Sequence, residues 1–196
     1  MATITFPSSP KPASMSWRLV QPAQQNVSAW TGARQVLASG RGWWECSLNL
    51  PPIVGETAVN AWRAFLAKAR GAANDFQVPV NSVAQSSSVA IPLINGGSQT
   101  GRQLNTDGWP NSTTVLQAGQ FVTIGNQLLQ LTQNITSNGS GQAVIYFEPA
   151  IRVAPADNAA IEFKNPYALM YFVEDPGYSV EPGLVYTMAF NLRESF

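Results

Sequence analysis

The chain has no histidine, one cysteine, and only eleven basic and eleven acidic residues among 196. Each shortage excludes something. Without histidine the commonest general base and the commonest metal ligand are gone. A lone Cys46 cannot form an internal disulfide, and its place in an alternating run reads as a small buried hydrophobe. No apolar run approaches the roughly 18 residues that span a bilayer, and the first fourteen residues lack the apolar centre of a signal peptide. These features predict synthesis in the cytoplasm and no membrane insertion. With a net charge of zero there is no basic stripe to collect nucleic acid. Charged residues make up 11% of the chain, less than half of the usual ~25%. Asn, Gln, Ser and Thr take their place, and a polar but neutral surface loses little on shedding water against a partner. The composition favours permanent assembly.

Catalytic signatures are missing as well. Gly96–Gln103 (GGSQTGRQ) resembles the start of a phosphate-binding loop, but Arg102-Gln103 stands where Lys-Ser/Thr is required. Ser8 and Lys11 match a nucleophile spacing inside a Pro-rich arm, without the companion motifs. Glu174 and Asp175 are adjacent, so a strand would send them to opposite faces. A serine or cysteine nucleophile would need Lys11, Lys68 or Lys164 or a carboxylate as base, and none falls in a recognisable constellation. The acids show no calcium-loop spacing. The reading is therefore no enzyme, no catalytic residue, no cofactor and no metal. Six tryptophans remain. Trp44 and Trp62 fit apolar faces, whereas Trp30, Trp43 and Trp109 look free to stack on a sugar, which makes a carbohydrate-binding module the alternative.

Periodicity predicts a mainly β fold with one helix packed on a sheet. Trp43–Leu50 alternates, with Trp44, Cys46, Leu48 and Leu50 on one face. Glu56–Arg70 carries the only convincing 3.6-residue stripe, in Val59, Trp62, Phe65, Leu66 and Ala69, with Gly71 as a left-handed cap. Trp17–Val20 and Ser28–Trp30 read as short strands, and Asn95–Asp107 as a polar stretch without core pattern. Gln120–Ile124 and Gln127–Leu131 flank Gly125-Asn126, a two-residue hairpin turn. Gln142–Glu148 and Ala160–Phe163 follow, with turns at Pro149 and Pro155. Leu169–Val173 and Leu184–Leu192 complete the set, the last with Leu184, Tyr186, Met188, Phe190 and Leu192 on one face. The expected domains are 1–95 with 164–196, a β-sandwich plus helix, and 96–163, a small inserted β-barrel or sandwich.

Several stretches together resemble tail proteins of tailed bacteriophages, of the distal-tail or tail-tip class. They are Gly42–Pro52 leading into Ala61–Leu66, Leu104–Pro110 followed by Leu116–Gly125, Gly141–Arg152 continuing to Asp157, and the terminal Phe190–Glu194. The resemblance implies a tail-tube-like β-sandwich and a virion structural role. It also implies a ring of copies, usually six, contacting the tail tube and the tip or hub proteins. Genome DNA would pass through the ring without sequence-specific binding.

Charge placement adds a candidate contact. Residues 1–98 hold seven Lys/Arg and three Asp/Glu, and residues 99–196 hold four and eight. A closed ring needs two different patches per subunit. Arg18, Arg34 and Arg41 are the candidates for one, and Glu148, Asp157, Glu162 and Glu174 for the other.

Overall fold

The computed structural model describes residues 2–88 and 90–196. It is mainly β, with a single helix among the described residues. The chain forms two compact units: Met1–Arg18, Trp44–Pro79 and Tyr167–Phe196 make the first, and Leu19–Trp43 with Val80–Pro166 the second.

The first unit is built on a six-stranded sheet in the order Thr3–Ile4, Asp75–Pro79, Tyr167–Phe172, Ala189–Glu194, Trp43–Asn49, Ser14–Val20. Alternation decides which side chains go inward. Trp44, Cys46 and Leu48 are buried while Ser47 and Asn49 are exposed, and Ala168, Met170 and Phe172 repeat the pattern. The helix Glu56–Ala69 buries Val59, Trp62, Phe65, Leu66 and Ala69. Its rings meet those of the sheet: Trp62 stacks on Phe190 at 6.1 Å between centroids. Phe65 meets Phe76 edge-on at 4.9 Å. Phe6, from the N-terminal arm, stands edge-on to Trp62 at 5.3 Å. Within that arm Thr3–Ile4 is an edge strand parallel to Asp75–Phe76.

The helix ends as expected within one residue. The left-handed turn begins at Arg70 (φ 52°) and continues through Gly71 (φ 64°), so two residues rather than one leave the helical region. A second, three-stranded sheet joins Ser179–Glu181, Val185–Thr187 and Ile53–Val54. It divides what the sequence presented as one terminal strand. Leu184 takes a left-handed conformation (φ 58°) and is exposed, while Tyr186, Met188, Phe190 and Leu192 are buried as expected.

The second unit contains a six-stranded sheet in the order Ile161–Glu162, Phe121–Ile124, Gln127–Leu131, Ala143–Ile151, Gly101–Asp107, Leu93–Ile94. Its end strands meet. Leu93 bridges Ala160, and the amide of Ile94 donates to the carbonyl of Ala159 at 3.0 Å. The sheet is thus closed into a small barrel, which removes its edges. Leu104, Val122, Ile124, Leu129, Ile145 and Phe147 are among its core residues, with Trp109 and Phe163. Gly125 (φ 55°) and Asn126 (φ 67°) form the expected two-residue turn between Ile124 and Gln127.

Three expectations need correction here. The boundary at 95/96 falls inside the barrel sheet, because Leu93–Ile94 pairs with Thr106–Asp107, and the unit also takes in 19–43. Gly101–Asp107, within a stretch read as patternless, is a strand in which only Leu104 and Thr106 are buried. Pro149, expected to end a strand, lies within Ala143–Ile151, where the pairing with Gly101–Asp107 shifts register and no amide is needed.

Two outcomes follow from the first unit. Trp62 is fully buried and its indole N–H has no hydrogen-bond partner. Trp62→Ala should cost about 3–5 kcal/mol in urea unfolding. Trp62→Phe should cost clearly less, because it keeps an aromatic ring and deletes the orphaned donor. Burial pushes the Cys46 thiol up to about 12, so thiol reagents should label it only after denaturant unfolds the chain.

Candidate functional site

Two exposed surface features distinguish this chain. The first is an antiparallel hairpin, Ala23–Val27 paired with Arg34–Ala38. Every residue of both strands is exposed, and Trp30 at its tip is 97% exposed. The register sorts its faces. Val27 lies opposite Arg34, Gln25 opposite Val36 and Ala23 opposite Ala38. One face therefore carries Ala23, Gln25, Val27, Val36 and Ala38 with Arg34, and the other Gln24, Asn26, Gln35 and Leu37. Sequence reading missed both strands and placed one at Ser28–Trp30, which is the connecting loop. The amide-rich strands lack the alternation that burial on one face imposes.

The hairpin's root is fixed within its own unit. Arg152 donates to the carbonyl of Gly42 at 2.9 Å, and Gln21 donates to Glu148 at 3.0 Å. A Cβ on Gly42 would stand 2.9 Å from the carbonyl oxygen of Val20 and 3.0 Å from Pro149. The chain is therefore gripped at the base and free at the tip.

The second feature is the three-stranded sheet of the first unit. Val180, Tyr186 and Ile53 share its inner side, and Ser179, Glu181, Val185, Thr187 and Val54 the outer. Tyr186 and Ile53 are buried, whereas Val54 is 68% exposed. Beside the sheet sits a charged cluster. Arg63 pairs with Glu56 at 2.8 Å and donates to the hydroxyl of Tyr178 at 3.1 Å. Its guanidinium lies 5.2 Å from the centroid of the Tyr178 ring and 5.3 Å from that of Tyr186. The Tyr186 hydroxyl donates to Glu56. That bond, with help from Arg63, holds the Glu56 carboxyl below the usual carboxylate range. The tyrosine-to-carboxylate bond likewise raises the Tyr186 hydroxyl. The cluster ties the helix to the segment that precedes the terminal strand. Its four polar groups are engaged with one another.

Several residues named from sequence as intersubunit contacts are engaged within their own unit. Arg18 pairs with Glu45, and Glu148 with Arg102 at 2.7 Å. Asp157 accepts from the amide of Gly96 at 2.8 Å, and Glu162 from those of Lys164 and Asn165. Arg34, Arg41 and Glu174 remain exposed and outside any ion pair among the described residues. Trp109 is corrected outright. It is 3% exposed, edge-on to Phe163 at 5.3 Å, and its indole donates to Thr106 at 2.8 Å. It cannot stack on a sugar.

A shallow groove of about 550 Å³ on the barrel is lined by Asn95, Asn105, Thr106, Thr136, Asn138 and Gln142 among others. It offers amides and hydroxyls but no charge and no aromatic face. Among the described residues, no group of three or more His, Cys, Asp or Glu could hold a metal ion, and no helix is long and apolar enough to cross a membrane. No family model matches the chain, and no curated protein matches it.

The Glu56 cluster gives a signed pH dependence. A carboxylate whose folded pKa is lowered contributes stability above its unfolded value of about 4.3, and that contribution is lost as pH falls through the folded value. Wild type should therefore exceed Glu56→Gln in stability at pH 7, and the gap should narrow as the pH falls below the ordinary carboxylate range. Denaturant titrations of both proteins across pH 7 to 3 measure it. A gap unchanged over that span would show that Glu56 does not act through its charge.

Proposed function

We propose that this chain is a structural subunit of a bacteriophage tail, assembling as a ring at the distal end of the tail tube. The observation that carries the reading is the solvent-exposed hairpin. A two-stranded sheet with nothing packed on either face is marginal in water, and its strands carry no proline or lysine to blunt their edges. Such an element makes sense when another chain covers it. The resemblance to distal-tail proteins and the scarcity of charge point the same way, and they supply the partners: copies of this chain, the tail tube, and the tip or hub proteins. In this role DNA would traverse the ring without being read. With Trp109 buried, the carbohydrate-binding alternative keeps Trp30 as its one fully exposed tryptophan, and a single ring without neighbouring aromatic faces makes a poor sugar platform.

Sedimentation velocity and native mass measurement of the purified protein test the reading. The expected result is a closed oligomer whose mass is an integral multiple of the subunit, with annular particles in negative stain. A monomer at every concentration up to the solubility limit would overturn it.

A further inference from the structure

Two exposed faces on this chain, one in each unit, have the same make-up with opposite charge. The hairpin face bearing Val27 and Val36 carries Arg34, and residues 19–43 contain no acid at all. The outer face of the three-stranded sheet bears Val54 and Val185 and carries Glu181. Around it, residues 173–187 hold Glu174, Asp175 and Glu181 and no base. Arg34 and Glu181 are exposed and outside any ion pair among the described residues. Each face carries two valines and a single charge among small or polar neighbours, Ala23, Gln25 and Ala38 on the hairpin and Ser179 and Thr187 on the sheet, where Val185 is half-buried. The inner side of the three-stranded sheet is already buried through Tyr186 and Ile53.

We infer that the apolar face of the hairpin of one copy packs on the outer face of the three-stranded sheet of the next, with Arg34 opposite Glu181. The inference rests on the ring reading only in requiring contact between copies. Face-to-face packing of two small sheets buries the four valines and gives the hairpin the cover it lacks. The two patches differ, so the contact is head-to-tail, the type that closes into a ring. Charge sets the register, because reversing either member brings like charges together across a contact whose other side chains are neutral.

Cysteine pairing tests it directly, since Cys46 is buried and does not interfere. Val36→Cys and Val54→Cys place thiols on exposed positions of the two faces. Under mild oxidation, a mixture of the two single variants should yield a disulfide dimer containing one chain of each. The doubly substituted chain should yield a ladder of covalent oligomers. Separately, Arg34→Glu should weaken self-association at least tenfold, and combining it with Glu181→Arg in one chain should restore it. Circular dichroism confirms that each variant is folded.

The failures are distinguishable. A wild type that stays monomeric overturns the ring reading and this contact with it. An oligomer that gives no mixed disulfide, or is indifferent to both charge reversals, overturns the contact alone. Val36→Cys bonding to itself would assign the hairpin to a symmetric contact and also overturn it. Binding of wild type to vesicles rich in anionic lipid, lost in Arg34→Glu, would assign the hairpin to a membrane surface instead.

Discussion

The first unit depends on an aromatic cluster that no local stretch of chain can form. Trp62 and Phe65 come from the helix, Phe6 from the N-terminal arm, and Phe76, Phe172 and Phe190 from three strands of the sheet. Large rings meeting edge-on and offset bury much area and add specific geometry to it. Once Trp62 occupies its place, the position of the helix on the sheet is fixed. The short parallel edge strand Thr3–Ile4 is then held by Phe6 as well as by its pairing to Asp75–Phe76. The unsatisfied indole N–H of Trp62 shows what that packing outweighs.

Polar amides play a comparable part in the second unit. Gln127 donates to the carbonyl of Ala150 at 2.9 Å and accepts from the amide of Arg152 at 2.9 Å. Gln85 reaches the carbonyl of Phe163 at 2.7 Å and takes the amide of Phe121 at 3.3 Å. Gln99 does the same between Asn95 and Asn105, and Asn138 accepts from the amides of Ser140 and Gln142. These side chains satisfy backbone groups where strands end or diverge. Much of the amide content that reads as a neutral coat is structural pinning, and only part of it is left for partners.

What was legible in the sequence tracks how far burial imposed a period. Trp43–Asn49, the helix stripe and the Gly125-Asn126 turn were readable because each has one buried face or a required backbone conformation. Gly101–Asp107 was not. Leu104 and Thr106 are its only buried side chains, and a strand so polar offers little alternation to read. The hairpin was invisible for the same reason carried further, with both faces in solvent. The terminal run was read correctly for its core and wrongly at Leu184, because a left-handed residue reverses the alternation that the letters suggest. Among the site candidates, charge alone could not separate carboxylates engaged within their own unit, such as Glu162, from open ones such as Glu174. That distinction depends on which loop carbonyls and amides lie nearby.

Strand order also sets a timetable for synthesis. Asp75–Pro79 is paired with Tyr167–Phe172, with Pro79 opposite Tyr167, so residues 80–166 stand where a tight turn would otherwise be. The barrel strands all lie between Leu93 and Glu162, so the pairing among them needs no residue of the last strands of the first unit. The helix, emerging earlier, has to wait for Phe172 and Phe190 before its aromatic stripe is covered. An apolar face left open that long on a nascent chain is a point of contact for chaperones and for aggregation. Truncation near the C-terminus would accordingly damage the part of the molecule that the ribosome made first.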